Sequence, residues 1–192
     1  MERQILHVDV NNAFLSWTAV DMLKKGCKID IREIPSVIGG DESRRSGIVL
    51  AKSPKAKMFG ISTGETLYQA RMKCPGLQVY PVNFQLYKEN SNKLYQLLLQ
   101  YTDKVERFSV DECFLDMTDC LLGDTLLNKA HEINQRVKKE LGVTVNVGVA
   151  HNKLLAKTAS DFTKPDRVHT LFEEEIPTRM WPLPVSELFM LG

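Results

Sequence analysis

Apolar residues recur at two spacings along the chain, and the change of spacing divides it into elements. From Ile5 to Val10 they alternate, with Leu6, Val8 and Val10 on one side and Ile5, His7 and Asp9 on the other. That pattern predicts a half-buried strand. Asn11 or Asn12 then offers an N-cap for a helix to about Lys25, with Gly26 as its stop. Extended segments follow near 31–38 and 47–51, separated by a turn at Gly39-Gly40 and Asp41-Glu42. Short helices are expected around 55–59, ending at Gly60, and over 64–73, ending at Pro75-Gly76. Residues 77–81 read as a short strand. A long helix over 84–101 sets Leu94, Leu97, Leu98 and Tyr101 on one side. Residues 104–108 and 113–117 read as a hairpin with Ser109-Val110-Asp111-Glu112 at its bend.

The clearest helical period runs from Thr125 to Leu141. There Leu126, Ala130, Ile133, Val137 and Leu141 recur and Gly142 supplies the stop. Residues 144–150 alternate again, with Val145, Val147 and Val149 inward, and 153–162 form a helix capped by Asn152. With residues 12–76 set aside, the order approaches the split βαβ, ferredoxin-like pattern. The expected class is α+β. A ferredoxin-like unit with a mixed or antiparallel sheet and packed helices would carry a small α/β subdomain inserted after its first strand. The chain stops at Leu191-Gly192 without a helix end or a tail, which reads as a fragment.

Composition narrows the class only a little. Hydrophobic residues make up 43% and charged residues 26% of the chain, ordinary values for a globular protein. No apolar run approaches the ~20 residues of a membrane span, and the N-terminus enters a strand at once, without a signal peptide pattern. Cys27, Cys74, Cys113 and Cys120 form no CxxC pair, which argues against a zinc cluster and suits a reducing, cytoplasmic setting. The net charge of +1 does not by itself suggest a nucleic-acid partner. Its distribution says more. Arg44, Arg45, Lys52, Lys55, Lys57, Arg71 and Lys73 crowd one segment, and Asp103, Glu106, Asp111, Glu112, Asp116 and Asp119 another. Side by side, these would suit an anionic substrate neutralised partly by side chains and partly by metal ions.

The candidate chemistry is a carboxylate set. Asp9 stands on a strand where an unpaired buried carboxylate would be costly. Asp111 and Glu112, adjacent at a bend, can turn the same way. If the first strand lies beside that hairpin, three carboxylates converge on the open face of the sheet. Such a set repels itself unless a cation lies within it, and hard divalent ions accept oxygen ligands of this kind. Two such ions are a standard device for nucleotidyl transfer. The Val10 carbonyl could add a ligand. Taken singly, each carboxylate reads as a surface charge.

Three segments turn this into a specific resemblance: HVDVNNAF at 7–14, FSVDECFLDM at 108–117 and NVGVAHNKLLAKTASDFTKP at 146–165. They resemble the core motifs of the Y-family, or translesion, DNA polymerases of the DNA polymerase IV and UmuC type. Residues 56–82 resemble the fingers and the return to the palm, and 182–192 the approach to the thumb. The resemblance implies a palm over 1–11 and 77–170, fingers over 12–76 and the start of a thumb over 171–192. It implies template-directed addition of deoxynucleotides to a primer 3′ end, with primer–template DNA and a deoxynucleoside triphosphate as partners. A sliding clamp would be reached through a further C-terminal region, and no membrane is involved. Asp9, Asp111 and Glu112 would be the catalytic residues. With Val10 they would hold two Mg²⁺ ions, Mn²⁺ being the alternative. Phe14 would be the steric gate under the sugar, and Lys164 would grip the triphosphate.

The chain also departs from the family pattern. Pro54 and Lys57 stand where a Tyr and an Arg usually contact the triphosphate. Lys57 keeps the charge and loses the bidentate fork. Lys52, Ser53 or Lys55 would then share the phosphate grip. Asn12 replaces a common aromatic. Gly148 leaves space on the open face or marks a bulge. Two other readings remain open from sequence: a nucleotidyl cyclase-like palm enzyme, and a non-catalytic DNA-binding relative.

Overall fold

The first strand is buried along its whole length, on both faces. In the computed structural model, which describes residues 2–40 and 47–188, all six residues of Ile5–Val10 are buried. The half-buried strand expected from alternation is therefore corrected. The strand alternates because one face is wholly apolar while the other mixes Ile5 with His7 and Asp9, and both faces are covered. The turn at Asp41-Glu42, Arg44 and Arg45 of the basic segment, and residues 189–192 lie outside the described residues.

In chain order the strands are β1 (Ile5–Val10), β2 (Ser36–Gly39), β3 (Val49–Lys52), β4 (Gln78–Pro81), β5 (Val105–Arg107), β6 (Glu112–Asp116), β7 (Val145–Ala150) and β8 (Val168–Thr170). The helices are α1 (Ala13–Lys24), α2 (Pro54–Met58), α3 (Leu67–Lys73), α4 (Phe84–Leu98), α5 (Leu126–Leu141), α6 (Lys153–Asp161) and α7 (Ile176–Arg179). The chain divides into two compact units, residues 1–11 with 91–192, and residues 12–90.

The first unit is built on a five-stranded sheet of order β5-β6-β1-β7-β8. β1 runs antiparallel to β6 and to β7, and only the β7–β8 pair is parallel. Without β8 this is the ferredoxin-like order, and the sheet is mixed, in keeping with the expected α+β class. Leu6, Val8 and Val10 stand in register with Val149, Val147 and Val145, so their side chains share one apolar face. The other face carries Ile5, His7 and Asp9 opposite Ala150, Gly148 and Asn146.

That second face was expected to be open, and α6 closes most of it. Leu155, Ala156 and Ala159 pack with Ile5, Phe114, Ala150 and Leu171. Gly148 makes the approach possible. A Cβ placed there would lie 1.8 Å from the Ala156 carbonyl oxygen and 2.7 Å from the Ser160 backbone nitrogen. Pairing of β7 with β1 runs unbroken through this position, so the glycine marks helix contact rather than a bulge. Asn152 caps α6 as expected, its side chain accepting from the Leu155 N–H at 2.9 Å.

The second unit holds a three-stranded sheet of order β3-β2-β4. Segment 77–81, read from sequence with the first unit, pairs parallel to β2 here. Residues 31–33 form a 3₁₀ turn rather than the start of a strand, because the Asp30 carboxylate accepts from the Arg32 N–H at 2.9 Å. Asn12 precedes α1 in a left-handed conformation and does not cap it with its side chain. It donates instead to the Lys52 carbonyl at 2.8 Å. Thr66 and Gln69 close a capping box at α3.

Gly148→Ala forces either α6 or β7 to move and is expected to lower stability by at least about 2 kcal/mol. Gly76→Ala, with nothing within 4 Å of the added carbon, should stay within about 0.5 kcal/mol of the parent. Urea unfolding of both variants checks this; equal stabilities would refute the close-packing account.

Candidate active site

Asp9, Asp111 and Glu112 all lie at one end of the central strands. Asp9 and Glu112 are direct cross-strand partners in the β1–β6 pair. The Val10 N–H donates to the Asp111 carbonyl at 3.1 Å, which fixes the hairpin bend beside the end of β1. Glu112 opens β6 and Asp111 closes the bend, so the two adjacent residues escape the alternation of a regular strand. Ser109 donates its hydroxyl to the Asp111 carboxylate at 2.7 Å. Burial and the like charges of Asp9 and Glu112 raise the Asp111 carboxyl above the usual aspartate range, against the Ser109 hydrogen bond that lowers it.

Lysines neutralise the cluster. The Lys157 ammonium, from α6, stands 3.2 Å from Glu112 and 3.6 Å from Asp9. Lys164 lies 2.6 Å from Asp9. Both lysines also reach Asp161, at 3.1 and 3.0 Å. Burial alone would depress the two ammoniums; their carboxylate partners outweigh it and raise them. Burial likewise works against the Glu112 carboxylate. The His7 ring, at 3.6 Å and beyond hydrogen-bonding range, and the Lys157 ammonium overcome it and bring the carboxyl to about 2. Among the described residues, no three His, Cys, Asp or Glu side chains stand as a ready metal cage. The donors are the hard oxygens a divalent ion takes, the Asp111 carboxyl bears the like-charge strain a cation would relieve, and the lysines hold the intervening space.

Asparagines hold the loop that delivers Lys164. Asn146 accepts from the Asn11 amide at 3.1 Å and donates to the carbonyls of Ser160 and Thr163, each at 3.0 Å. Asn11 in turn accepts from the Asp166 N–H at 2.9 Å. Below them His7, wholly buried, pairs its Nδ1 with the Ser160 hydroxyl at 2.7 Å. Sequence reading assigned no role to Lys157, Asp161, Asn146 or His7. Helical spacing was the available signal for the first two, since 157 and 161 are one turn apart.

The remaining expected residues lie in the second unit. Phe14 stacks on Tyr87 with ring centroids 4.6 Å apart. Lys57 is exposed in the last turn of α2. Ser53 does not fit a phosphate-gripping role. It is wholly buried, accepts from the Ser36 and Ala56 N–H groups at 3.1 and 3.0 Å, and donates to the Ile34 carbonyl at 2.7 Å. Its hydroxyl has no capacity left. Pro54 follows it at the first turn of α2, where a missing N–H costs nothing.

The family profile described as the impB/mucB/samB family matches residues 8–161. DNA polymerase IV of Clostridium acetobutylicum is 55% identical over 192 residues, covering 100% of this chain and 48% of that protein. DNA polymerase IV of Acetivibrio thermocellus is 43% identical over 194 residues, covering 100% and 47%. Among solved structures, DinB from Sulfolobus solfataricus is similar with a TM-score of 0.85 at 27% identity, covering 98% of this chain and 54% of that one. A Y-family DNA polymerase chimera, Dbh-Dpo4(243-245)-Dbh, gives 0.86 at 26% identity, with coverage of 98% and 54%. The fold and motifs are those of the Y-family polymerases. The chain belongs to the impB/mucB/samB family. It spans about half the length of the curated relatives it matches. These matches favour neither the cyclase-like nor the non-catalytic alternative. No helix among the described residues is long and apolar enough to cross a membrane.

The lowered Glu112 carboxyl makes a pH prediction. Its folded value of about 2 lies below the ordinary 4.5. The stabilisation it gives is therefore full above the ordinary value and is lost as pH falls from 4.5 towards 2. Glu112→Gln should flatten the loss of stability between about pH 5 and about pH 3. Denaturant unfolding at both values checks it, and an unchanged slope would refute it.

Proposed function

We propose that this chain is the catalytic portion of a template-directed DNA polymerase of the translesion type. The observation that carries the reading is the pairing of Asp9 with Glu112 across β1 and β6, with Asp111 beside them at the bend. Residues 1–11 and 91–170 would act as palm and 12–90 as fingers, segment 77–90 going with the second unit rather than with the expected palm, and 171–192 as the start of the thumb. Primer–template DNA and a deoxynucleoside triphosphate are the proposed partners. Likeness to a Dbh ternary complex with partially disordered substrates supports them. Contacts to duplex phosphates would come mainly from regions beyond the chain, in keeping with its net charge of +1. A cytoplasmic setting and a clamp contact outside this chain complete the proposal.

Asp9, Asp111, Glu112 and the Val10 carbonyl would hold divalent ions, Mg²⁺ or Mn²⁺. When bound, two such ions supply Lewis-acid activation of the primer 3′ hydroxyl and neutralisation of the leaving pyrophosphate. The protein's own part is to orient. The cross-strand register fixes Asp9 against Glu112, and the Asn146 network fixes the Lys164 loop. Lys164 would meet the triphosphate, and the family resemblance assigns phosphate contacts within the second unit to Lys57 and Lys52. Phe14, backed by Tyr87, would exclude a 2′-hydroxyl from the sugar site, since a supported ring cannot yield to one extra oxygen.

In the whole protein that carries this chain, Asp111→Ala should abolish primer extension; retained extension would reject the assignment. A cyclase-like enzyme would instead form product from nucleotide alone. Phe14→Ala should raise ribonucleotide incorporation by tenfold or more, on the order of the 1–3 kcal/mol that a steric pocket discriminates. Unchanged sugar selectivity in single-nucleotide insertion would remove the gate role.

A further inference from the structure

Asp161 takes no part in the proposed mechanism, yet it touches both lysines of the site. It is the last residue of α6, and its two carboxylate oxygens face different partners. Oδ2 lies 3.1 Å from the Lys157 ammonium and Oδ1 lies 3.0 Å from that of Lys164. At the same time Lys157 holds Glu112 at 3.2 Å and Asp9 at 3.6 Å, and Lys164 holds Asp9 at 2.6 Å. Each ammonium thus bridges a proposed metal ligand and Asp161.

The carboxylates differ in exposure, and that difference gives the bridge a direction. The side chains of Lys157 and Asp9 are 10% and 8% exposed, whereas that of Asp161 is 41% exposed. A divalent cation arriving at Asp9 and Glu112 has to displace the ammoniums, because like charges cannot share those oxygens. Releasing Lys157 with no partner would strand a buried charge, which is strongly unfavourable. Asp161 removes that penalty. Its contacts to both lysines already exist, so each ammonium needs only to give up one carboxylate and keep the other.

We propose that Asp161 is a positioning residue that receives Lys157 and Lys164 when a divalent cation takes Asp9 and Glu112, and so sets the metal affinity of the site. The proposal rests on the assignment of Asp9, Asp111 and Glu112 as metal ligands. It makes the lysines built-in counter-ions of the metal-free state, held in reach of the site after they leave it. Lys164 would then stand beside the site where an anionic substrate is expected.

Mn²⁺ binding to the chain, followed by electron paramagnetic resonance of the free ion without nucleotide or DNA, tests it. Asp161→Asn should weaken binding about tenfold, the usual scale for residues behind metal ligands, and Asp161→Glu should restore it. In a Lys157→Met/Lys164→Met background, Asp161→Asn should have no further effect, since the groups it acts through are gone. A direct charge effect would persist there. Asp9→Asn is the control, and thermal unfolding checks that each variant is folded. Normal Mn²⁺ affinity in Asp161→Asn alongside lost binding in Asp9→Asn overturns the proposal and leaves the ligand assignment standing. An equal weakening without the lysines overturns it too. If the double-lysine variant fails to fold, absence of rescue by Asp161→Glu decides against it. Mn²⁺ binding unchanged in Asp9→Asn overturns the ligand assignment and the proposal together.

Discussion

A carboxylate sits on a strand of the larger unit that is buried along its whole length, and the surrounding structure accommodates it. Asp9 is 6% exposed, between β6 on one side and β7 on the other. An ionised group in such a place is tolerated only when paired and hydrogen-bonded. Glu112, its neighbour across the strands, adds a second negative charge. The positive charge has to come from nearby, and α6 with the loop that follows it brings Lys157 and Lys164. Placing α6 this close requires a strand position with no side chain, which Gly148 provides.

The long motif at 146–165 is therefore one mechanical unit. Asn146 ties the strand to the end of α6 and to the loop beyond it through the Ser160 and Thr163 carbonyls. Gly148 lets the helix down onto the sheet, and Lys157 and Lys164 meet the carboxylates. His7, underneath, links β1 to Ser160 of the same helix. Loss of any one of these would shift the lysines relative to Asp9. The motif has a structural requirement at nearly every turn, apart from any substrate.

The smaller unit shows a local substitution absorbed without damage to the fold. Pro54 occupies a first-turn position that suits it, and Ser53 turns its whole hydrogen-bonding capacity to capping α2 and tying it to the segment before β2. Lys52, Lys55 and Lys57 are the basic side chains beside that turn. The α2 cap explains why a serine fits there, in terms that involve backbone alone.

Much of the fold is legible in the sequence. The strand at 5–10, the hairpin around 109–112, the helix over 126–141 and the Asn152 cap follow from local pattern and side-chain chemistry, which act over a few residues. Asp9 was visible as an acid on a strand where burial called for an apolar residue, and Asp111 and Glu112 only as adjacent acids at a hairpin bend. What sequence could not supply was the neighbour of each element. Burial of β1 on both faces, the pairing of β4 with β2 and the covering of the supposed open face by α6 all depend on contacts between distant segments. So does the pairing of Asp9 with Lys157 and Lys164, which lie at the far end of the chain. Local periodicity encodes which face of an element is apolar. Only tertiary packing decides what lies against the other face, and for Asp9 that was a helix bearing the opposite charge.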